Sequence, residues 1–247
     1  MSMELPEDDR VEVMRRLRDG ITGFLLNYEF AIDEVMTKIN ILQSEFEHMH
    51  EYSPIEHVTS RLKSVDSIVG KLQRRGGART IREIRDTVRD IAGVRVVCSF
   101  IEDSYKIAEA LTGQQDVTVI EIKDYIKNPK PNGYRSLHLL IEVPVFLSSG
   151  PVNVPVEVQI RTIAMDFWAS LEHKIYYKFD SEIPEALRSG LHEAALTAAR
   201  LDVQMEQIHR EVTKQHPSHR QFATLDDDLE LEFPSGEELR QFLSRND

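Results

Sequence analysis

Apolar residues recur at three- and four-residue steps near the start of the chain, which is the spacing of one face of an α-helix. This pattern extends from Val11 to about His50, and we expect two helices there, separated near Asn27. The same spacing returns from Ile163 to about Phe179 and from Pro184 to about Lys214. The pattern therefore predicts helices at both ends of the protein.

The middle of the chain changes to short stretches rich in β-branched residues, which indicate strands. The segment Val58–Lys63 alternates in polarity, so we interpret it as a strand, although the preceding Ser53-Pro54-Ile55-Glu56 resembles a helix capping box. Further strands are predicted at Ile91–Phe100, Val117–Ile122, Tyr134–Leu147 and Val154–Arg161, the last two as a hairpin. Short helices are predicted at Val65–Arg75, Thr80–Arg89 and Asp103–Thr112.

About five strands flanked by helices predict an α+β fold with a mixed sheet. We divide the chain into N-terminal helices at residues 1–52, a core that carries the sheet at 53–180, a C-terminal helix at 181–216 and an acidic tail at 217–247. The tail shows no periodicity, and we expect it to be flexible.

Composition is that of a globular protein, with 41% hydrophobic residues among 247 and a formal net charge of −12. The acidity lies at the two ends, and residues 10–220 carry only −2. Within them, residues 61–95 carry a net charge of +6, which suits the binding of a polyanion. A solvated basic helix face would explain part of this block equally well.

The sequence also constrains location and redox chemistry. The longest apolar stretches fall short of the roughly 18 residues that cross a bilayer, and the acidic N-terminus lacks the apolar segment of a secretory signal. We therefore expect a cytoplasmic protein with no membrane partner. The single cysteine, Cys98, excludes an intrachain disulfide and a cysteine metal cluster.

Polar residues that could bind a ligand lie where predicted strands meet helices. Arg61 and Lys63 end a strand, Ser64 can cap the next helix, and Lys71 follows on that helix, which together favour a phosphate site. An exposed basic helix is an equally open interpretation of that spacing.

Two carboxylates could form a metal site if the fold brings them together. Asp90 precedes a buried strand, where a lone aspartate is more often a cap. Glu157 alternates with apolar residues and shares one strand face with Gln159 and Arg161. A pair of carboxylates suits Mg²⁺, which retains waters and takes substrate phosphates as further ligands.

A loop rich in turn residues, 128–133, leads into a segment in which Tyr134, Ser136 and His138 are predicted to share one strand face. The tyrosine offers a ring on which a base can stack, and the other two offer hydrogen bonds to phosphate or sugar. The sequence contains neither a P-loop nor a dinucleotide-binding glycine motif, so neither explains nucleotide binding.

Four ordered motifs resemble those of the RelA/SpoT-homology (p)ppGpp synthetases. They are Arg61-x-Lys63-x-x-x-Ser67-Ile68-x-x-Lys71, Asp90-Ile91-Ala92-Gly93-Val94-Arg95, the stretch from Asp124 to His138, and Glu157-Val158-Gln159-Ile160-Arg161-Thr162. The Ser53-Pro54-Ile55-Glu56 segment and residues 165–173 are similar to the small alarmone synthetases, especially the RelQ-type branch. The resemblance covers roughly residues 20–210 and implies a nucleotidyltransferase-like synthetase domain.

The resemblance implies an enzyme that transfers pyrophosphate from ATP to the ribose 3′-hydroxyl of GDP or GTP, which yields ppGpp or pppGpp and AMP. Arg61 and Arg95 would sandwich adenine, and Lys63 and Lys71 would bind the ATP phosphates. Asp90 and Glu157 would hold Mg²⁺, and Glu157 would also accept the hydroxyl proton. Tyr134 would stack on guanine, with the rest of the acceptor site supplied by Lys130, Asn132, His138 and Gln159.

Departures from the family pattern carry further expectations. No His-Asp dipeptide occurs and the chain leaves no room for a hydrolase domain, so we expect synthesis without hydrolysis. Glu121-Ile122-Lys123-Asp124 mixes features of two enzyme classes, which leaves the choice between GDP and GTP open. RelQ-type members form tetramers with a basic regulatory cleft. Here the corresponding positions, Lys38–Gln43 and Asp166, predict weak or absent activation by (p)ppGpp.

Alternative functions remain at this point. A catalytically inactive homologue that binds nucleotide or RNA would keep the same fold, although every position for metal and guanine carries a competent residue. A different nucleotidyltransferase is the second alternative. A homo-oligomer is expected from the long flanking helices, its tetrameric state is implied by the resemblance alone, and RNA is a further candidate partner.

Overall fold

The computed structural model describes residues 7–49, 52–76, 80–176 and 184–215. At its centre is a mixed sheet of five strands in the order β1-β2-β5-β4-β3. The strands are β1 (Ile55–Leu62), β2 (Ala92–Cys98), β3 (Thr118–Asp124), β4 (Leu137–Leu147) and β5 (Gly150–Thr162). Strands β2 and β5 pair in parallel, and the other neighbouring pairs are antiparallel. The predicted α+β fold and the β4–β5 hairpin are confirmed.

Six helices surround the sheet in the described part of the chain. They are α1 (Glu7–Met49), α2 (Val65–Arg74), α3 (Ile81–Thr87), α4 (Ile101–Thr112), α5 (Ile163–Tyr176) and α6 (Glu185–Gln215). The starts of α2 and α3 follow from local chemistry, because Ser64 accepts a hydrogen bond from the Ser67 amide and Thr80 accepts one from the Glu83 amide. None of the helices in the described ranges has the length and apolarity needed to cross a membrane.

Helix α1 covers the sheet as one continuous helix, so the predicted break near Asn27 is wrong. Phe24, Tyr28, Ala31 and Val35 are all buried and keep helical spacing across that position. Asparagine costs an exposed helix interior only about 0.7 kcal/mol or less, and burying this apolar stripe outweighs that cost. The N-terminal segment is therefore one helix where two were expected.

Two local boundaries also differ from the prediction. The strand predicted from Val58 is confirmed, but β1 begins at Ile55, and the Pro54 carbonyl accepts a hydrogen bond from the Ser99 amide beside it. Strand β4 begins at Leu137 and not at Tyr134, because a turn with Gly133 at φ 90° precedes an irregular segment up to Ser136. The acidic tail predicted at 217–247 lies outside the described residues.

Candidate active site

The parallel pairing of β2 with β5 brings the predicted site residues together. Gly93 is paired with Glu157, and Arg95 with Gln159. Asp90 lies just before β2, and it lines with Glu157 a cavity of about 380 Å³. The two carboxylates, 67 residues apart in the chain, thus line one cavity, as a shared metal site would require.

Asp90 is held by two lysines from different elements. Lys63, just after β1, places Nζ 2.5 Å from Oδ2, and Lys71, in the last turn of α2, places Nζ 2.8 Å from Oδ1. Burial opposes ionisation of the carboxyl, but the two hydrogen bonds and charges outweigh it and lower the pKa of Asp90. Asp90 is therefore ionised at neutral pH, and both predicted phosphate-binding lysines lie beside it.

Glu157 is also held in its ionised form by its neighbours. Gln159 donates from Nε2 to Oε2 at 2.7 Å, and His138 Nδ1 lies 3.6 Å from Oε1. Burial would raise the pKa of Glu157, yet hydrogen bonds from His138 and Gln159 more than compensate and lower it. Period-two alternation along β5 explains why Glu157 and Gln159 lie on the same face of the sheet.

The donor set fits Mg²⁺. Two ionised carboxylates on one cavity supply the hard oxygens that this ion takes from proteins, and waters and phosphate oxygens complete its coordination. Within the described residues, no cluster of three or more histidine, cysteine or acidic side chains forms a complete metal cage.

A second hollow, of about 170 Å³, lies on the β1 side and is lined by both predicted adenine-binding arginines, Arg61 and Arg95. Gly93 lies between them in the sheet, and a Cβ at that position would stand 3.4 Å from Arg61 Cγ. The absence of a side chain at Gly93 therefore leaves room for Arg61 to lie across the strand. Two guanidinium groups beside one hollow suit a flat, π-rich ligand.

Tyr134 is connected to Glu157 through His138 and lies within a cluster of rings and cations. Lys130 Nζ is 4.7 Å from the ring centroids of both Tyr125 and Tyr134. The Tyr134 hydroxyl lies 2.8 Å from His138 Nε2, and the His138 ring is 5.2 Å from that of Tyr125. The cluster offers an aromatic surface with a cation above it, which suits a base that carries phosphates.

The loop that carries Tyr134 is fixed to the C-terminal helices. Asn132 donates from Nδ2 to Glu172 at 3.1 Å and accepts from the Tyr134 amide at 3.2 Å. Gly133 faces α6, where a Cβ would stand 2.5 Å from the Cβ of Ala195. Asn132 thus uses its side chain to shape the loop, and its place in the acceptor site stays a prediction.

Arg161 and Asp166 connect the Tyr134 cluster to Arg95, which lines the smaller hollow. Arg161 donates to the Tyr134 hydroxyl at 2.7 Å, to Gln159 Oε1 at 2.9 Å and to Asp166 Oδ1 at 2.9 Å. Asp166 also lies 3.3 Å from Arg95 Nη1. Burial and the neighbouring charge of Arg161 lower the pKa of Arg95, although Asp166 opposes that effect.

Seven of the eleven predicted site residues line the two cavities: Asp90, Glu157, Lys71 and His138 the larger, and Arg61, Arg95 and Gln159 the smaller. Lys63 is bonded to Asp90, Tyr134 contacts His138, Lys130 lies over the Tyr134 ring, and Asn132 bonds within the loop. Ser136, predicted to share a face with Tyr134 and His138, is fully buried and donates to the Ile160 carbonyl at 3.1 Å, so it offers nothing to a ligand. Tyr125 was missed, and Asp166, which the sequence analysis named only for the regulatory cleft, contacts Arg161 and Arg95. Tyr125 lies in the quoted loop beside Lys130, which was the available indication, whereas nothing local in the sequence predicts the partners of Asp166.

Comparison with known proteins adds independent information. Residues 60–182 match the family model described as the region found in RelA / SpoT proteins. The GTP pyrophosphokinase YwaC of Bacillus subtilis is 52% identical over 188 residues, covering 76% of this chain and 90% of that protein.

Solved structures show the same relationship in three dimensions. Small alarmone synthetase 1 of Bacillus subtilis, crystallised with its product pppGpp, superposes with a TM-score of 0.72 at 40% identity, covering 78% of this chain and 98% of that one. Small alarmone synthetase 2 of the same organism gives 0.70 at 49% identity, with coverage of 77% and 98%.

Proposed function

This chain belongs to the RelA/SpoT family and, within it, to the small alarmone synthetases, and on that premise we propose that it transfers the pyrophosphoryl group of ATP to the 3′-hydroxyl of GDP or GTP. The products are ppGpp or pppGpp and AMP. The observation that carries the proposal is that two ionised carboxylates, Asp90 and Glu157, line one cavity. On one side of Glu157 the neighbouring strand carries the arginine-lined hollow, and on the other His138 connects it to the ring of Tyr134.

The donor binds on the β1–β2 side. Arg61 and Arg95 hold adenine in their hollow, and Lys63 and Lys71 meet the phosphates beside Asp90. Because the product carries the β- and γ-phosphates and AMP keeps the α-phosphate, the acceptor oxygen attacks the β-phosphorus and the bond to the α–β bridging oxygen breaks. The lysines counter the charge that accumulates on those phosphate oxygens.

The acceptor binds on the β4–β5 side. Guanine stacks on Tyr134, Lys130 meets its phosphates, and His138 and Gln159 line the path to the ribose. Glu157 lies at the boundary of the two sides and is ionised at neutral pH, so it is ready to accept the 3′-hydroxyl proton. Positioning of two bound nucleotides supplies much of the rate in such transfers.

Asp90 and Glu157 are the residues that would hold Mg²⁺. When bound, the ion neutralises phosphate charge and orients the donor. Both carboxylates keep their charge at neutral pH through hydrogen bonds from neighbouring side chains, which is what an oxygen-ligated divalent cation requires.

The activity is tested with purified protein, Mg²⁺, labelled ATP and GDP or GTP in parallel, with chromatographic separation of the products. We expect ppGpp or pppGpp from the parent. Glu157→Gln keeps the shape of the side chain and removes its charge, and it should lower the rate by about 100-fold or more. Glu142→Gln, the same change on β4 outside the described cavities, is the matched control and should behave like the parent.

The outcomes separate the parts of the proposal. A parent that forms neither product with Mg²⁺ contradicts the proposed activity. A Glu157→Gln variant that works at the parental rate contradicts the role of that carboxylate and leaves the activity standing. The GDP and GTP reactions, run side by side, also give the acceptor preference that the sequence left open.

We further propose that this protein self-associates through an apolar groove between α5 and α6. The groove has a volume of about 950 Å³ and an almost wholly apolar lining. Phe167 is 66% exposed and Leu201 is 50% exposed in its walls. On α6, Leu201 is followed by Met205, Ile208 and Val212 at the four- and three-residue steps typical of helix–helix interfaces. A second copy of this chain presents the same row of apolar residues on α6, and this spacing favours that copy as the partner that fills the groove.

Light scattering after size-exclusion chromatography tests the interface. We expect the parent to be oligomeric and Phe167→Glu to reduce the oligomer to smaller species. Phe146→Glu is the control, because Phe146 is 75% exposed on the β4–β5 hairpin, away from the groove. A monomeric parent, or dissociation by the control alone, would contradict this interface.

A further inference from the structure

Arg161 and Asp166 lie at the centre of the site, yet the proposed reaction assigns neither of them a step. Arg161 is only 5% exposed and is located on β5, beyond Gln159. Asp166 lies in the first turn of α5. Strand β5 ends at Thr162 and α5 begins at Ile163, so both residues lie near the junction of these two elements.

Arg161 orients the acceptor side. Its Nη2 donates both to the Tyr134 hydroxyl and to Gln159 Oε1, at 2.7 Å and 2.9 Å. Its guanidinium carbon is 5.2 Å from the Tyr134 ring centroid. One buried side chain therefore fixes the ring on which guanine stacks and the amide that contacts Glu157.

Asp166 connects this arrangement to the donor side through a single atom. Its Oδ1 accepts from Arg161 Nη1 at 2.9 Å and lies 3.3 Å from Arg95 Nη1. Arg95 lines the adenine hollow. A shift of Arg95 upon binding adenine therefore changes the position of the oxygen that also holds Arg161.

The arrangement is costly for stability alone, which indicates a functional use. One carboxylate, Asp166, serves two arginines, and the charge of Arg61 also acts on Arg95. The Nε groups of Arg95 and Arg161 are buried with no hydrogen-bond partner among the described residues. Incompletely paired, partly buried charges of this kind destabilise a fold unless binding compensates for them.

We propose that Asp166 and Arg161 are positioning residues that couple the two nucleotide sites, so that donor bound on Arg95 raises the affinity for acceptor on Tyr134. This inference rests on the proposed function. The first nucleotide orders the chain Arg95–Asp166–Arg161–Tyr134, and the second binds to a site that is already ordered. Linkage requires the same factor in both directions.

The experiment measures GDP affinity by calorimetry with and without a non-hydrolysable ATP analogue, both with Mg²⁺. For the parent we expect the analogue to tighten GDP binding by about five-fold or more. Asp166→Ala removes the shared oxygen, and its coupling factor should fall to about one. Asp166→Asn keeps an oxygen without the charge and should give an intermediate factor. Glu185→Ala, which breaks an exposed ion pair with Arg188, is the control and should retain the parental factor.

A second readout excludes a purely structural role. Arg161→Lys keeps the charge but cannot form the fork of hydrogen bonds, so the KM for GDP should rise while the ATP affinity measured without GDP stays at the parental value. General destabilisation would change both affinities together. Should Asp166→Ala fail to fold, Asp166→Asn still tests the inference, because a parental factor in that variant contradicts it.

Product formation by the parent, assayed in parallel, distinguishes failure of the coupling inference from failure of the proposed function. A parent that makes ppGpp yet shows no coupling, or equal coupling in the parent and Asp166→Ala, overturns the inference and leaves the proposed function intact. A parent that makes no product overturns the proposed function itself.

Discussion

Replacement of Gly133 by alanine should destabilise the protein for two separable reasons. The residue has φ +90°, and an added Cβ would stand 2.5 Å from the Ala195 Cβ on α6. The left-handed backbone costs a non-glycine residue about 1–2 kcal/mol, and overpacking a well-packed contact costs about 1–3 kcal/mol. Reduced freedom of the unfolded chain offsets about 0.4–1 kcal/mol. We therefore expect the free energy of unfolding to fall by about 2–4 kcal/mol.

A second substitution separates the two costs. Ala195→Gly removes the atom that the new Cβ meets, so in that background Gly133→Ala should cost only the backbone contribution less the unfolded-chain offset, about 0–1.6 kcal/mol. Gly190→Ala is the matched control on α6, since a Cβ there meets nothing within 4 Å. Glycine is about 1 kcal/mol less favourable than alanine inside a helix, so this variant should be more stable than the parent.

Urea unfolding followed by circular dichroism, at one fixed protein concentration, measures these differences. If Gly133→Ala stays within about 0.5 kcal/mol of the parent, the close approach of the loop to α6 is wrong. If its cost is the same in the Ala195→Gly background, the clash with that side chain is refuted and only the backbone argument survives.

Three further predictions concern substrate selectivity, pH and regulation. Tyr134→Phe keeps the ring but loses the hydroxyl that Arg161 holds, so the KM for GDP should rise in steady-state kinetics while the ATP affinity measured without GDP stays at the parental value, and an equal loss of both would contradict the acceptor assignment. Burial raises the pKa of Asp202 to about 6, so the folded state binds this proton more tightly than the unfolded state does, and stability falls as pH rises from about 4 to 6. Asp202→Asn should therefore be more stable than the parent at pH 7.5, on the order of 1–2 kcal/mol after solvent screening, with no gain at pH 4 in thermal unfolding. Added pppGpp should leave turnover unchanged, because Lys38 is paired with Asp116 at 2.5 Å, and a clear increase would refute this.

The sequence predicts best what depends on exact periodicity. Alternation along β5 placed Glu157, Gln159 and Arg161 on one face, and the structure joins these three by hydrogen bonds. The cap at Ser64 was equally local, because a serine before a helix needs only the amide three residues on. Such features follow from rules that act within a few residues.

Other features depend on contacts that no local pattern contains. Helix α1 continues through Asn27 because a sheet formed by later residues buries its apolar stripe. Asp166 meets Arg95 only because β2 and β5 pair in parallel. The predicted strand start at Tyr134 failed because α6, far along the chain, packs against the turn at Gly133. Tertiary packing decides all three.

The pairing of β2 with β5 also fixes how far apart the two substrates are held. Neighbouring strands lie about 4.8 Å apart and are joined by backbone hydrogen bonds, so the alignment of donor and acceptor is a property of the sheet and needs no closing hinge. Opening for product release must then come from side chains and from residues 125–136, which precede β4. An engineer who wished to change the acceptor or its release rate could exchange that loop as a cassette and leave the donor strands untouched.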